Sequence, residues 1–170
     1  MAAGDQNVII AYDGSEHSEY ALEWYAQNMH KPGKHIILLH VPELNDMLHS
    51  TRWANSVYVF DREVLESMLK EEQKRIQKDL ERFADKLKSL GLGGKVKSVA
   101  AAKPGEGIAS EAKNTDAELV VVGSRGMGAV RRTLLGSVSD YLVHHCQCPV
   151  LVVKHPKHFH SHEHGQTKKD

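Results

Sequence analysis

Cysteine is scarce in this sequence, with Cys146 and Cys148 as the two examples among 170 residues. So few cysteines exclude a fold held together by disulfides and suit a reducing compartment. The pair has the spacing C-x-C rather than C-x-x-C. At the end of a helix or strand, we expect this spacing to keep the two side chains from pairing easily.

An excess of positive charge is also missing. Lys and Arg together number 22, as do Asp and Glu, so the formal net charge is zero. Binding to nucleic acid would call for a basic excess that meets the phosphates. We therefore expect no nucleic-acid partner.

Long hydrophobic runs and a targeting segment are missing as well. No stretch approaches 18 apolar residues, and the opening MAAGDQNV has no charged region followed by an apolar one. A chain of 170 residues, 41% of them hydrophobic, can bury a core of its own as one domain. We expect a cytoplasmic protein with no membrane association.

Five short apolar runs alternate with helical patterns along the chain. The runs cover residues 8–12, 34–41, 96–102, 118–123 and 149–153. Runs of this kind are typical of strands buried on both faces of a parallel sheet. Apolar residues recur at helical spacing in four segments. These segments follow residue 15, cover residues 61–90, follow residue 104 and begin at residue 136. The alternation predicts an α/β fold: a single-domain, doubly wound parallel sheet with helices on both faces.

The same reading divides the chain into three parts. Residues 1–6 are expected to form a short extension, residues 7–154 the domain, and residues 155–170 a disordered, histidine-rich tail. The spacing His160-x-His162-x-His164 in that tail could capture Zn²⁺ or Ni²⁺. A polar tail with no role in metal binding is the favoured interpretation.

A glycine-rich, cationic stretch follows the fourth predicted strand. Residues 120–140 read VVVGSRGMGAVRRTLLGSVSD. The stretch is not a P-loop, a dinucleotide fingerprint or a nucleophile elbow, because it lacks the lysine, the third glycine or the serine spacing that these motifs need. The spacing that remains is Gly-x2-Gly-x9-Gly-Ser, with glycines at Gly123, Gly126 and Gly136.

That spacing suits an anion held by backbone amides. Gly123 leaves room for a sugar at the strand end, and Gly126 and Gly128 allow positive φ. Gly136 and Ser137 begin a helix, whose first N–H groups and dipole favour phosphate. Ligands of parallel sheets bind at the carboxyl ends of strands, where this loop lies. The alternative is a tight connection in which the glycines serve packing alone.

Together with residues 11–15 (AYDGS), the glycine spacing resembles that of the universal stress protein family, in the pattern of its ATP-binding branch. The resemblance covers residues 7–154. It implies a Rossmann-like, five-stranded parallel sheet of order 3-2-1-4-5. It also implies a homodimer that forms through the last strand, residues 149–153, an exposed apolar edge that invites pairing with a second copy.

The resemblance further implies a site for ATP. Asp13 would reach the ribose and adenine end, the backbone of Val41 the adenine, and Gly123 the ribose. Arg125 adds a cation that would screen the phosphates, and the sequence shows no ligand set for an accompanying Mg²⁺. The complete candidate set is Ala11, Asp13, Val41, Gly123, Arg125, Gly126, Gly128, Gly136, Ser137, Val138 and Ser139.

Two of these residues have a second explanation. Asp13, or Ser15 beside it, could cap the first helix without any ligand, and Ser137 near a helix start has the same ambiguity. Elsewhere, His145 is expected on the apolar face of the last helix as a core or interface histidine. Residues 43–60 hold Trp53, Tyr58 and Phe60, which we interpret as an anchor on the core in preference to a lid over adenine.

These features favour an ATP-binding, homodimeric stress-response protein that acts as a nucleotide-dependent switch or adaptor for an unidentified protein partner. A slow ATPase is one alternative, but Asp13 belongs at the ribose end and the loop offers no base for the γ-phosphate. We therefore expect no catalytic residue. An interaction dimer without nucleotide is the other alternative.

Overall fold

The computed structural model describes residues 6–42, 62–125 and 135–156. In these residues, strands alternate with helices along the chain. The elements are β1 (Gln6–Ala11), α1 (Glu16–Asn28), β2 (Lys34–His40), α2 (Arg62–Ser89), β3 (Gly94–Ser98), α3 (Pro104–Asn114), β4 (Leu119–Gly123), α4 (Ser137–His145) and β5 (Val150–Val153).

The five strands form one parallel sheet in the order β3-β2-β1-β4-β5. This confirms the predicted α/β fold and its strand order. The chain moves outward from β1 through β2 to β3, then returns to place β4 on the other side of β1. The order therefore reverses between β1 and β4, where parallel sheets bind ligands at the carboxyl ends of their strands.

The sheet is buried on both faces, which explains the continuous apolar runs in the sequence. Val8 and Ile10 of β1 belong to an apolar cluster covered by α1 and α2. Ile9 and Ala11 belong to a second cluster, on the opposite face, covered by α3 and α4. The central strand β1 therefore has helices on both of its faces.

The third strand differs from its predicted position at 96–102. It runs from Gly94 to Ser98 and pairs with β2 from Ile36 to His40. Because β2 ends at His40, the residues beyond position 98 have little left to pair with. A Cβ on Gly94 would overlap the carbonyl oxygen of Ile36, so the close approach at the start of the strand requires glycine.

The long helix agrees with its predicted span of 61–90 to within one residue at each end. Phe83 and Leu87, from its second half, are buried in the core, whereas Leu69 in the first half is 47% exposed. The described residues contain no helix that is both long enough and apolar enough to cross a membrane.

His145 is not a core residue. It is exposed at the end of α4, and its ring stacks on Tyr141 at a centroid distance of 4.0 Å. Positions 142 and 145 share a helical face, but α4 ends at His145, and the ring turns back along the helix instead of reaching the sheet. The interface role proposed for His145 stays a prediction.

Two predicted features fall mainly outside the described residues. These are the aromatic segment with Trp53, Tyr58 and Phe60, and the tail from residue 157 onward. His155, the first residue assigned to the tail, is 8% exposed and packs on the ring of Tyr20 at 4.7 Å. At this residue the chain is still packed against α1.

Candidate functional site

The carboxyl ends of β1, β2 and β4 meet at one edge of the sheet. Asp13 follows β1, Val41 follows β2, and Gly123 is the last residue of β4. β1 lies between β2 and β4 and is paired in register with both. Three residues that are distant in sequence are therefore neighbours along this edge, as the strand order requires.

The turn after β1 is organised by Asp13. Its Oδ1 accepts a hydrogen bond from the backbone N–H of Ser15 at 2.9 Å, and Gly14 between them has a φ of +78°. Such a turn needs a short acceptor side chain followed by a residue that tolerates positive φ. The second carboxylate oxygen of Asp13 has no hydrogen bond in the described part of the chain, and the residue is partly exposed at the edge of the sheet.

The cap of α1 is Ser15, not Asp13. Ser15 Oγ accepts a hydrogen bond from the backbone N–H of Ser18 at 3.3 Å, and Ser15 has the extended backbone typical of a capping residue. Of the two capping residues considered from the sequence, the structure selects the serine. The turn therefore holds the Asp13 carboxylate at the edge of the sheet, and this carboxylate does not cap α1.

Gly123 is buried, and the reason is packing against α1. A Cβ at this position would lie 2.8 Å from the backbone oxygen of His17 and 3.1 Å from its Cβ. Contacts this short are not tolerated, so a side chain at Gly123 would push α1 away from β4. The packing explanation for this glycine holds whether or not a sugar also approaches it.

The loop after β4 returns to its own starting point. The N–H of Gly136 donates to the carbonyl oxygen of Ser124 at 2.6 Å, and Ser139 Oγ donates to the same oxygen at 3.1 Å. A Cβ on Gly136 would lie 3.2 Å from that oxygen and from Cα of Arg125. The two ends of the loop are thus joined at one carbonyl group, with little room for a larger residue at Gly136.

The start of α4 has no side-chain cap. Gly136 is the capping residue, and within the described residues it gives the first turn no side-chain hydrogen bond. The N–H groups of Ser137, Val138 and Ser139, the first three residues of the helix, therefore have no partner within the helix. Ser137 is the first helical residue, so the capping role considered for it does not apply.

The Ser139 side chain is buried at the base of the loop. It is 1% exposed, and its Oγ reaches the carbonyl oxygens of Ser124 and Gly136 at 3.1 and 3.0 Å. The hydroxyl is therefore engaged in holding the base of the loop. What Ser139 can offer a ligand is its backbone N–H.

The side chains of Ala11 and Val41 are buried in the core. Both belong to the apolar cluster under α3 and α4 and are less than 9% exposed. A Cβ on Gly107 of α3 would lie 3.1 Å from Cγ1 of Val41 and 2.8 Å from Cβ of Ala101. Gly107 thus sets how closely α3 approaches the end of β2, a role that sequence reasoning missed because nothing in the local pattern marks it.

A second feature missed from the sequence comes from α2. Phe83 packs edge-on against Tyr12 at a ring distance of 4.6 Å, and Arg82 lies over the Phe83 ring at 5.2 Å. Nη2 of Arg82 would be 3.1 Å from a Cβ on Gly14. The α2 stripe in the sequence indicated that Phe83 is buried, but only the fold brings the Arg82 guanidinium to the turn beside Asp13. Burial raises the pKa of Tyr12, so that it stays a neutral phenol in this packing.

The remaining candidates, Arg125, Gly126 and Gly128, belong to the start of the glycine-rich loop. Arg125 is partly buried and directly follows Ser124 at the base of the loop. Gly126 and Gly128 lie outside the described residues. No group of three or more His, Cys, Asp or Glu side chains suited to a metal ion occurs in the portion of the chain that the structure describes.

Among known proteins, residues 6–154 match the family model of the universal stress protein family. Universal stress protein PHOS32 of Arabidopsis thaliana is 31% identical over 170 aligned positions, which cover 91% of this chain and 67% of the relative. Universal stress protein PHOS34 of the same plant is 30% identical, with 91% of this chain and 64% of the relative covered. The chain thus spans about two thirds of the length of these curated relatives.

Solved structures share the architecture. The protein MJ0577 superimposes with a TM-score of 0.70 and 25% identity, covering 89% of this chain and 96% of that one. A universal stress protein family protein from Arabidopsis thaliana, solved with AMP bound, has a TM-score of 0.60 and 25% identity, covering 88% of this chain and 91% of its own.

Proposed function

Because the chain belongs to the universal stress protein family, we propose that it binds an adenine nucleotide at the carboxyl edge of β1 and β4. The observation that carries the proposal is the uncapped start of α4 beside the end of β4, at the point where the strand order reverses. Helix N-termini with free N–H groups favour phosphate through hydrogen bonds and through the helix dipole.

In this proposal, the phosphates, the ribose and the adenine each contact a different part of this edge. The N–H groups of Ser137, Val138 and Ser139 are the donors for the phosphates, next to Gly136. Asp13, with Oδ1 held in the turn, offers Oδ2 to a ribose hydroxyl. The backbone of Val41, beyond the last paired residue of β2, is the group for the adenine.

ATP is the proposed ligand, with Arg125, Gly126 and Gly128 near its phosphates. The AMP bound to the Arabidopsis structure supports an adenine nucleotide in this fold at 25% identity. The proposed role is a cytoplasmic switch or adaptor for stress responses, in which the bound nucleotide changes the surface shown to a protein partner. Asp13 lies at the ribose end and also holds a turn, so we propose a binding protein rather than an ATPase.

The first test is thermal unfolding of the wild-type protein with and without ATP and Mg²⁺. Ligand at about 100 times its Kd should add roughly 2.7 kcal/mol to the free energy of unfolding. In a domain of this size, that corresponds to an increase in Tm of roughly 5–11 °C. No increase at millimolar ATP would contradict the proposal and leave an interaction dimer without nucleotide as the better function.

Two variants locate the site, and a third controls for stability. Gly136→Val removes space at the base of the loop and should abolish the ATP-dependent shift. Asp13→Asn keeps an Oδ1 for the turn but replaces Oδ2 with an amide that cannot accept from a ribose hydroxyl, so the shift should shrink. Gly93→Ala adds a methyl group with nothing within 4 Å and should keep the full shift. Equal shifts in all three variants would place the nucleotide elsewhere.

A further inference from the structure

The strand β3 is an open edge of the sheet. On one side it pairs with β2, and on the other it has no neighbouring strand in the described part of the chain. The N–H of Val99, which follows the strand, donates to the carbonyl oxygen of His40 in β2 at 2.9 Å. By alternation, the backbone groups of Gly94, Val96 and Ser98 point away from β2. The edge therefore presents N–H and carbonyl groups that a further strand can bind.

An apolar groove of about 370 Å³ lies between this edge and α2. Leu87 of α2 and Leu92 are buried beneath it, and its sides include the half-buried Leu80 and Val96. Neighbouring strands lie about 4.8 Å apart, so an added strand would run directly beside Val96. Side chains on this face of the added strand would enter the groove and pack against the core. The groove thus favours apolar side chains at alternate positions of an added strand.

The opposite face of β3 carries lysines. Lys97 Nζ donates to Oε1 of the buried Glu111 at 2.6 Å, so this face of the strand is the one covered by α3. Lys95 shares the face by alternation, is exposed, and has no ion pair among the residues that the structure describes. The positions of an added strand that alternate with the groove positions would lie beside Lys95. Acidic side chains suit these positions.

Further lysines line the continuation of the groove along α2. A second hollow, of about 450 Å³, shares Gln77 and Glu81 with the groove. It is lined by lysines at intervals of four residues, which share one side of the helix: Lys70, Lys74 and Lys78. Within the described ranges none of the three forms an ion pair, and Glu81 accepts a hydrogen bond from the Gln77 amide at 3.0 Å. This surface therefore has an excess of positive charge that suits an acidic partner.

The charge argues against a second copy of this chain on the same edge. Pairing β3 with β3 of another copy would bring two rows of lysines together, and like charges across paired strands are destabilising. A lipid surface or a nucleic acid has negative charge, but neither offers N–H and carbonyl groups with the repeat of a strand. An extended, acidic polypeptide has both.

We propose that β3 binds an extended segment of a partner protein in which apolar residues alternate with acidic ones, added as a sixth strand of the sheet. The apolar side chains fill the groove beside Val96, and the acidic ones face Lys95. Acidic residues beyond the end of the added strand face the lysines along α2. The inference rests on the adaptor role in the proposed function, whose partner it characterises, and it requires no nucleotide.

The test is fluorescence anisotropy of a fluorescein-labelled heptapeptide in which glutamate and valine alternate, titrated with the full-length protein. We expect saturable binding at micromolar concentration. Two control peptides should bind at least about tenfold more weakly: one of the same composition with its valines grouped together, and an alternating one with lysine in place of glutamate. No saturable binding of the alternating peptide would overturn the proposal. Equal binding of the grouped peptide would also overturn it, because the lysines would then attract any acidic chain.

Hydrogen exchange of the isotope-labelled protein, followed by NMR, locates the peptide. The outward N–H groups of Val96 and Ser98 should exchange more slowly with the alternating peptide bound, because they then donate hydrogen bonds to it. Protection confined to α2 or to β5 would contradict addition at β3.

Two pairs of variants separate backbone pairing from charge. Val96→Pro removes an outward N–H but leaves the bonds to β2 in place, so peptide binding should fall about tenfold. Val96→Ala keeps the N–H and should lose less. Lys95→Glu reverses the charge beside the added strand and should weaken binding several-fold. Lys113→Glu makes the same change at an exposed lysine at the end of α3 and should bind as the wild type does. Equal losses within either pair would overturn the proposal.

Failure of this inference is distinguishable from failure of nucleotide binding. Asp13→Asn should bind the alternating peptide as the wild type does, and Val96→Pro should keep the ATP-dependent increase in Tm. Peptide binding by a wild type that shows no ATP-dependent shift would contradict the nucleotide site alone. An ATP-dependent shift without peptide binding would overturn this inference alone. An unchanged circular dichroism spectrum shows that Val96→Pro is folded, and the lysine variants test the edge without it.

Discussion

A glycine at position 123 has two explanations, room for a ribose and close packing against α1. The glycine spacing suggested room for a ribose, and the fold shows that α1 already fills the space into which a side chain would point. A methyl group added at this position would overlap the backbone of His17 in α1.

We expect Gly123→Ala to lower the free energy of unfolding by roughly 1–3 kcal/mol, because its Cβ would overlap the backbone of His17. The measurement is urea unfolding without nucleotide. Gly93→Ala is the matched control, since its methyl group meets nothing within 4 Å, and it should change stability little. A Gly123→Ala protein as stable as the wild type, with weakened ATP binding, would show that the ribose and not α1 requires the glycine.

At the scale of elements, the two helices at the candidate site begin in opposite ways. The first turn of α1 is capped by Ser15, whose hydroxyl accepts from the N–H of Ser18. The first turn of α4 begins at Gly136, a capping residue that has no side chain to accept a hydrogen bond from it. Because an N-terminus leaves N–H groups unsatisfied unless something accepts from them, α4 is the helix that has donors to offer a phosphate.

The capped helix gives a stability prediction. Ser15→Ala removes the hydroxyl that accepts from Ser18 and should cost about 1 kcal/mol in the free energy of unfolding. Urea denaturation measures it, and Ser15→Thr, which keeps a hydroxyl, should recover most of the loss. Equal losses in both variants would mean that the hydroxyl does not cap α1. ATP binding should survive in Ser15→Ala, because the Asp13 turn uses the backbone N–H of residue 15.

For the whole molecule, the open edges of the sheet decide how copies can associate. β3 forms one edge and β5 the other. The carbonyl oxygens of Pro149 and Val153 accept hydrogen bonds from Val120 of β4 and from Ser124 just after it. By alternation, the backbone groups of Val150 and Val152 therefore point away from the sheet. An apolar strand with outward-facing backbone groups is suited to pairing with a second copy.

We expect a homodimer through β5, with twice the chain mass by light scattering at micromolar concentration. Val152→Pro removes an outward N–H while leaving the bonds to β4 in place, and it should shift the protein to monomer. Val152→Ala truncates the same side chain but keeps the N–H, so it should remain dimeric. A wild-type monomer, or a Val152→Pro dimer, would contradict pairing through this strand.

Much of the architecture was determined by the sequence itself. Continuous apolar runs indicate strands buried on both faces, and their alternation with helices requires parallel crossovers. The order 3-2-1-4-5 came from the family resemblance, which rests on the glycine spacing and on residues 11–15, and the structure confirms it. The third strand was placed too late because its end depends on where β2 stops, which is not a local property.

The tertiary structure alone decided what each candidate residue contacts. It showed that Gly123 packs on His17, that the Ser139 hydroxyl holds the loop base, and that Gly107 fits against Val41. It also brought Arg82 to the turn at Gly14. Local patterns report which face of an element is buried, but contacts between elements depend on how closely helices approach the sheet. That distance is set by packing across the whole core.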